Sequence, residues 1–152
     1  MYIKALTKVV TSCLFAVAAA VLVSGCGMQQ AQQVNTPIDR SDVGKVYQLQ
    51  TVRYNTGGKG FYQPSPGDIW FQISSLSAIK GMMYCNPFSI NTAWGSGVFA
   101  TSGYMQGTQS CAGKPATPPF AFSDSMTYSR PTANQLVISD MGDTFEATFI
   151  QK

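Results

Sequence analysis

The stretch QLVISDMGDTFEATFI, Gln135 to Ile150, decides the fold class. Leu136 and Ile138 recur with a period of two, as do Phe145, Ala147 and Phe149 further on. That period belongs to a strand with one buried face. Between the two runs, Asp140-Met141-Gly142-Asp143 supplies the residues of a tight hairpin turn. Upstream, Ser125–Arg130 alternates in the same way, through Met126, Tyr128 and Arg130. Further strands are expected over Val46–Tyr54, Ile69–Ile73, Ala78–Tyr84 and Val98–Tyr104, with Gly81 weakening the third of these. Asn55–Gly60 and Pro66-Gly67-Asp68 are turns. No stretch holds a helical apolar face beyond two turns, and no internal repeat is present. The expected fold is all-β: a small single domain of seven to eight short strands, forming a curved antiparallel sheet or a partly closed β-barrel.

The composition excludes several chemistries. The chain has 152 residues, of which 11% are charged, against about 25% in an ordinary soluble domain. There is no histidine, and Glu146 is the one glutamate. A histidine-based nucleophile triad and an imidazole zinc site are therefore impossible. No metal site and no cofactor is expected.

The N-terminus has the order of a secretory signal: Lys4 and Lys8, the apolar run Leu14–Val23, then Ser24-Gly25-Cys26. The apolar run is too short for a permanent membrane span. Leu22-Val23-Ser24-Gly25-Cys26 resembles a bacterial lipobox, which implies cleavage before Cys26 and acylation of its thiol. The rival is a plain secreted chain with an incidental Cys26. On the lipobox reading, 1–25 is a signal peptide, 26–42 a flexible Gln-rich tether, and 43–152 the folded domain. The alternative for the tether is an arm that packs on the domain. Gly27 follows the acylated position where an Asp would favour inner-membrane retention, which points to the outer membrane of a Gram-negative host. Removing Lys4 and Lys8 from the 10 basic residues leaves 8 against 7 acids, a net charge of +1. No basic tract remains to follow a phosphate backbone, so nucleic acid is not an expected partner.

With Cys13 in the signal peptide and Cys26 acylated, Cys85 and Cys111 remain. In an oxidising compartment such a pair reads as a disulfide. Closing that loop stabilises the fold by roughly 3.5 kcal/mol. A metal or redox pair is disfavoured, because there is no C-x-x-C and no histidine.

Tyr84-Cys85-Asn86, then Phe88, Gly95, Gly97 and Gly103, then Thr108-Gln109-Ser110-Cys111, resemble the META/HslJ-like domain family in the order of their short motifs. The closing run of Tyr128, Leu136-Val137-Ile138, Asp140 and Gly142 is similar too. The resemblance spans about 47–149 and implies a compact, β-rich, extracytoplasmic domain carried on a lipoprotein. The chain departs from the family at Tyr84, where glycine is usual, and at Pro87. It departs again at Gly113–Pro119, where the prolines forbid the family's short helix. A separate β-barrel lipoprotein, similar to small lysozyme-inhibitor domains, is the competing reading.

Nothing points to catalysis. Asp140 and Asp143 flank a turn, where Asp satisfies local backbone donors. Ser77 and Lys80 have S-x-x-K spacing without companion motifs. Binding is the expected role, with exposed aromatic residues as anchors. The candidates are Phe61 and Tyr62 in a Gly/Pro-rich loop, Tyr104 beside Met105, and Trp94 in the segment Asn91–Gly95. Packing is the competing reading for Phe61 and Tyr62, and Tyr104, in a strand-like run, leans to the core. Trp94 either plugs a barrel end or faces a partner. Trp70 reads as core, while Lys80 and Arg130 read as solvated. The expected function is a non-enzymatic envelope lipoprotein, held to the membrane through Cys26. It binds another envelope or periplasmic protein in assembly, secretion, exclusion or stress tolerance. The alternatives are a barrel that binds a small ligand or glycan, or an inhibitor of a foreign hydrolase.

Overall fold

The computed structural model describes residues 36–57 and 60–152. The signal peptide, Cys26, the tether through Asn35, and Lys59 lie outside the described residues. Nine strands follow one another: β1 (Val46–Tyr54), β2 (Phe61–Tyr62), β3 (Ile69–Ser75), β4 (Ala78–Met83), β5 (Asn86–Trp94), β6 (Val98–Gln106), β7 (Ser125–Ser129), β8 (Gln135–Asp140) and β9 (Phe145–Gln151). All pairings are antiparallel, and β3 to β9 pair in sequence order. Strand β1 closes the ring by pairing with β3 on one side and β9 on the other. The result is a closed barrel of eight strands. The two-residue β2 is an appendage, paired to Val52 and Arg53 of β1 beyond the point where β3 has left it. Full closure removes the open sheet edges that a smaller curved sheet would expose. Among the described residues, no helix is long and apolar enough to cross a membrane.

Side chains fill the barrel. Tyr47, Leu49, Phe71, Ile73, Ile90, Phe99, Leu136 and Phe149 are fully buried and pack as one cluster. Tyr47 stacks on Phe71 at 5.5 Å, and Phe71 meets Phe149 edge-on at 4.9 Å. Gly81, which weakens β4 on propensity, is required by packing. A Cβ there would lie 2.7 Å from the Phe71 Cα and 2.9 Å from its Cβ.

Strand β5 fills a segment in which no strand was expected, and it ends on Trp94. Asn86, Phe88, Ile90, Thr92 and Trp94 face inward along nine residues. Asn and Thr at inward positions blur the alternation, so the segment does not read as a strand from sequence.

The tether boundary also moves. Ile38 is buried, and its N–H donates to the Tyr128 hydroxyl at 3.2 Å. Asp39 caps a 3-10 turn over Arg40–Asp42. The Asp42 carboxylate is buried and accepts from both Arg130 guanidinium nitrogens at 3.0 Å and from Lys45 Nζ at 2.7 Å. The folded body therefore begins near Ile38 rather than Val43. Arg130, expected on a solvated face, is only 12% exposed. Burial of Ile38 offsets part of the entropy of ordering this arm, and Arg130 and Lys45 compensate the buried Asp42 charge.

Candidate functional site: the disulfide end of the barrel

The strand register defines two ends. At one, Tyr54 lies beside Phe145, and Met83 beside Asn86 and Ile69. This end carries the Cys85–Cys111 disulfide. At the other end, residues 36–42 enter, β3 turns into β4, and β5 turns into β6 near Trp94. We call these the disulfide end and the entry end.

Strand β6 runs past β7 toward the disulfide end, since their pairing stops at Ala100 and Ser125. The chain from Gly107 to Asp124 then crosses that end as a strap. Phe120 inserts into the core against Phe145 at 5.6 Å and Phe149 at 5.8 Å. The Tyr54 hydroxyl donates to the Pro119 carbonyl at 2.7 Å. Lys114 pairs with Asp68 at 2.7 Å. Asn86 holds the strap twice: its amide nitrogen donates to the Gln109 carbonyl at 2.9 Å, and its oxygen accepts the Gln109 N–H at 2.7 Å. Asn86 is thus a structural latch beside the disulfide, satisfying backbone groups that no strand partner reaches.

Between strap and barrel lies a cleft of about 460 Å³. Its walls are Tyr84, Asn86, Gln106, the segment from Gly107 to Cys111, and Lys114 to Ala116 with Pro118. The Tyr84 and Tyr62 hydroxyls hydrogen-bond at 2.9 Å. Burial, followed by that bond to Tyr62, pushes the Tyr84 phenol well above its ordinary value. Burial raises Tyr104 and Tyr54 as well. These phenols stay neutral at physiological pH and act as hydrogen-bond donors and stacking faces. Beside the cleft, Pro87, Phe88 and Met105 form a shallow apolar shelf that shares Gln106 and Gly107 with it.

Of the four expected anchors, the fold brings three to this end. Phe61 stands on β2, 77% exposed. Tyr62 next to it is half-buried, held by Tyr84. Tyr104 is 42% exposed over the barrel mouth, 6.3 Å from the Phe88 ring, with its hydroxyl against the Met83 sulfur and the Gln106 side chain. Trp94 stands apart at the entry end. It is half-buried, stacked on Phe99 at 4.5 Å and edge-on to Tyr128 at 5.4 Å. Its position is that of a plug in the barrel end, away from the cluster at the mouth. Met105 and Met141, 68% and 62% exposed at the disulfide end, are the apolar residues the sequence reading missed as candidates. No alternation marks them in the sequence: Met105 lies in a run of exposed residues at the end of β6, and Met141 lies in the β8–β9 turn.

Apart from exposed Asp124, the carboxylates are engaged in structure. Asp140 accepts the Thr144 N–H at 2.7 Å and its hydroxyl at 2.8 Å, and also the Phe145 N–H. Burial opposes its charge, but these bonds outweigh it and lower its pKa. Asp143 accepts from Asn55, and Glu146 pairs with Arg53 at 3.1 Å. Among the described residues no group of three or more His, Cys, Asp or Glu side chains could hold a metal ion.

No family model matches the chain, and no curated protein matches it. The fold is similar to that of a solved structure, described as the NMR structure of the protein from Burkholderia xenovorans. The likeness has a TM-score of 0.52 and 14% sequence identity, and covers 74% of this chain and 84% of that one. At that identity the likeness concerns the fold alone: a small closed antiparallel β-barrel.

Proposed function

We propose that this chain is a non-enzymatic envelope lipoprotein whose barrel binds another envelope protein through its disulfide end. The observation that carries the reading is the exposure there of Phe61, Tyr104, Met105 and Met141. Aromatic residues and methionine are the types enriched at protein interfaces. Among the described residues the barrel interior is packed with side chains, which favours recognition at the surface. The engaged carboxylates favour binding over catalysis. Anchoring through acylated Cys26, and an outer-membrane location inferred from Gly27, belong to the same proposal. So does the META/HslJ-like assignment. Its support is Tyr84 at φ 57, in the left-handed region, where that family carries glycine, and the bridge between the two motif cysteines.

The test is in-cell crosslinking of the full chain, with mass spectrometry of the products, beside a Phe61→Ser/Met105→Ser variant whose circular dichroism matches the wild type. A discrete protein partner lost in the variant supports the reading. No specific partner, under conditions that capture known envelope complexes, overturns it. A second reading, binding of a small ligand or glycan, draws on the cleft, with Tyr84 and Gln106 among its walls. Chemical-shift changes confined to Tyr84 and Gln106 on glycan titration would favour it.

A further inference from the structure

The two ends of the barrel differ in charge and in the kind of apolar side chain they expose. The disulfide half carries Asp68, Asp124, Asp140, Asp143 and Glu146, against Arg53 and Lys114 among the described residues. The entry half carries Arg40, Lys45, Lys80, Arg130 and Lys152, against Asp39 and the buried Asp42. Arg130 and Lys45 neutralise Asp42. Arg40, Lys80 and Lys152 are exposed and make no ion pair among the described residues.

The exposed large apolar residues divide in the same way. The disulfide end shows aromatic and methionine side chains. The entry end shows aliphatic ones: Val43 before β1, Leu76 in the β3–β4 turn, Val98 at the start of β6 and Ile150 near the end of β9. Ile150, Val43 and Leu76 fall on or beside the neighbouring strands β9, β1, β3 and β4, and Val98 lies further along the sheet on β6, so these positions share one side of that end. The chain that leads back to Cys26 leaves from this end, at Thr36 beside Arg130 and Pro131.

We propose that the entry end of the barrel rests on the anionic headgroup surface of the bilayer that holds acylated Cys26. The disulfide end is then turned away from that surface. The inference rests on the lipoprotein reading above and adds an orientation to it. From Cys26 to Asn35 there are 10 residues, which reach at most roughly 35 Å when fully extended. At that short range the effective concentration of headgroups is high, so weak contacts suffice. Each basic residue held near an anionic leaflet shifts the docked population by roughly fivefold. The carboxylates of the opposite half are repelled from the same surface. The aliphatic side chains on that side of the entry end enter the headgroup layer.

The test uses the full chain, acylated in cells and reconstituted in vesicles. One set contains phosphatidylglycerol and phosphatidylethanolamine, the other only phosphatidylcholine. Intact-mass measurement first reports whether Cys26 carries lipid, and an unmodified Cys26 overturns the lipoprotein reading and the docking with it. With lipid present, amide hydrogen exchange reads the orientation. The expected result is slowed exchange at 43–45, 76–78, 95–98 and 150–152 on the anionic vesicles only. The mouth segments 61–62, 104–106 and 112–118 should be unchanged. High salt should abolish the difference, since it shortens the screening length to about 3 Å at 1 M. An Arg40→Gln/Lys152→Gln variant, still acylated and folded, should lose roughly 25-fold in docked population. A lipidated chain whose exchange is equal on the two vesicle types, or is slowed at the mouth instead, overturns the orientation while leaving the anchor intact.

Discussion

Replacing Arg130 by Met tests how the arm at residues 36–42 is held. The Asp42 side chain is 1% exposed and takes two guanidinium bonds at 3.0 Å. Removing one partner of a buried pair costs about 3–5 kcal/mol, because the other charge is left without compensation. Lys45 remains at 2.7 Å, with its side chain 27% exposed, and takes up part of the loss. Arg130→Met should therefore destabilise the full chain by about 2–3 kcal/mol. For a domain of this size that lowers Tm by roughly 8–12 °C. Asp42→Asn should cost a similar amount, and the double variant about 1.5–2 kcal/mol less than the sum of the two. The assay is urea unfolding followed by the fluorescence of Trp70 and Trp94. The pH dependence has a fixed sign. Burial opposes the Asp42 charge, but the bonds from Lys45, the Asp39 N–H and Arg130 outweigh it and lower the pKa below 3.8. The contribution is therefore full above the unfolded value and disappears as pH falls through the folded one. Asp42→Asn and wild type should converge in stability under strong acid. An Arg130→Met variant within about 0.5 kcal/mol of wild type, or strictly additive effects, would refute the reasoning.

Three further outcomes follow from the packing. Gly81→Ala forces a methyl against the β3 backbone, where relief requires the strands to part. It should cost about 3 kcal/mol, read as a lower urea midpoint with an unchanged slope. Cys85→Ser/Cys111→Ser should cost about 3 kcal/mol, while the Asn86 latch keeps the strap seated. If amide exchange across 107–119 becomes that of an unfolded chain, the latch is too weak for the role assigned to it. Asp140→Ala removes a cap from the Thr144 and Phe145 amides and should cost about 1 kcal/mol. The wild-type contribution of Asp140 is present above its unfolded pKa and vanishes in acid, because its folded pKa is the lower one.

Much of the barrel was legible in the chain because strands with one buried face leave a period of two. Leu136, Ile138, Phe145, Ala147 and Phe149 all point inward, as that alternation required. The bridge between Cys85 and Cys111 followed from an even thiol pair. Strand β5 was hidden because its inward positions include Asn86 and Thr92, whose roles depend on partners distant in sequence. Asn86 latches a strap 23 residues away. Closure of the ring was equally unreadable, since it depends on β1 meeting β9 across the whole domain. Arg130 read as a solvated charge and Asp42 as the end of the tether, because each finds its partner only through that closure, 88 residues away in the chain. The candidate site was half legible. Phe61, Tyr62 and Tyr104 were marked by residue type, but only topology could separate Trp94 from them.

The most direct measurement places a photoreactive residue at Met105 on the disulfide end and, in a second strain, at Val98 on the entry end, followed by irradiation of living cells. Binding through the disulfide end predicts a discrete protein adduct from position 105 and none from position 98. A protein adduct from position 98 alone, or none from position 105 while a known envelope complex crosslinks in the same cells, would contradict it.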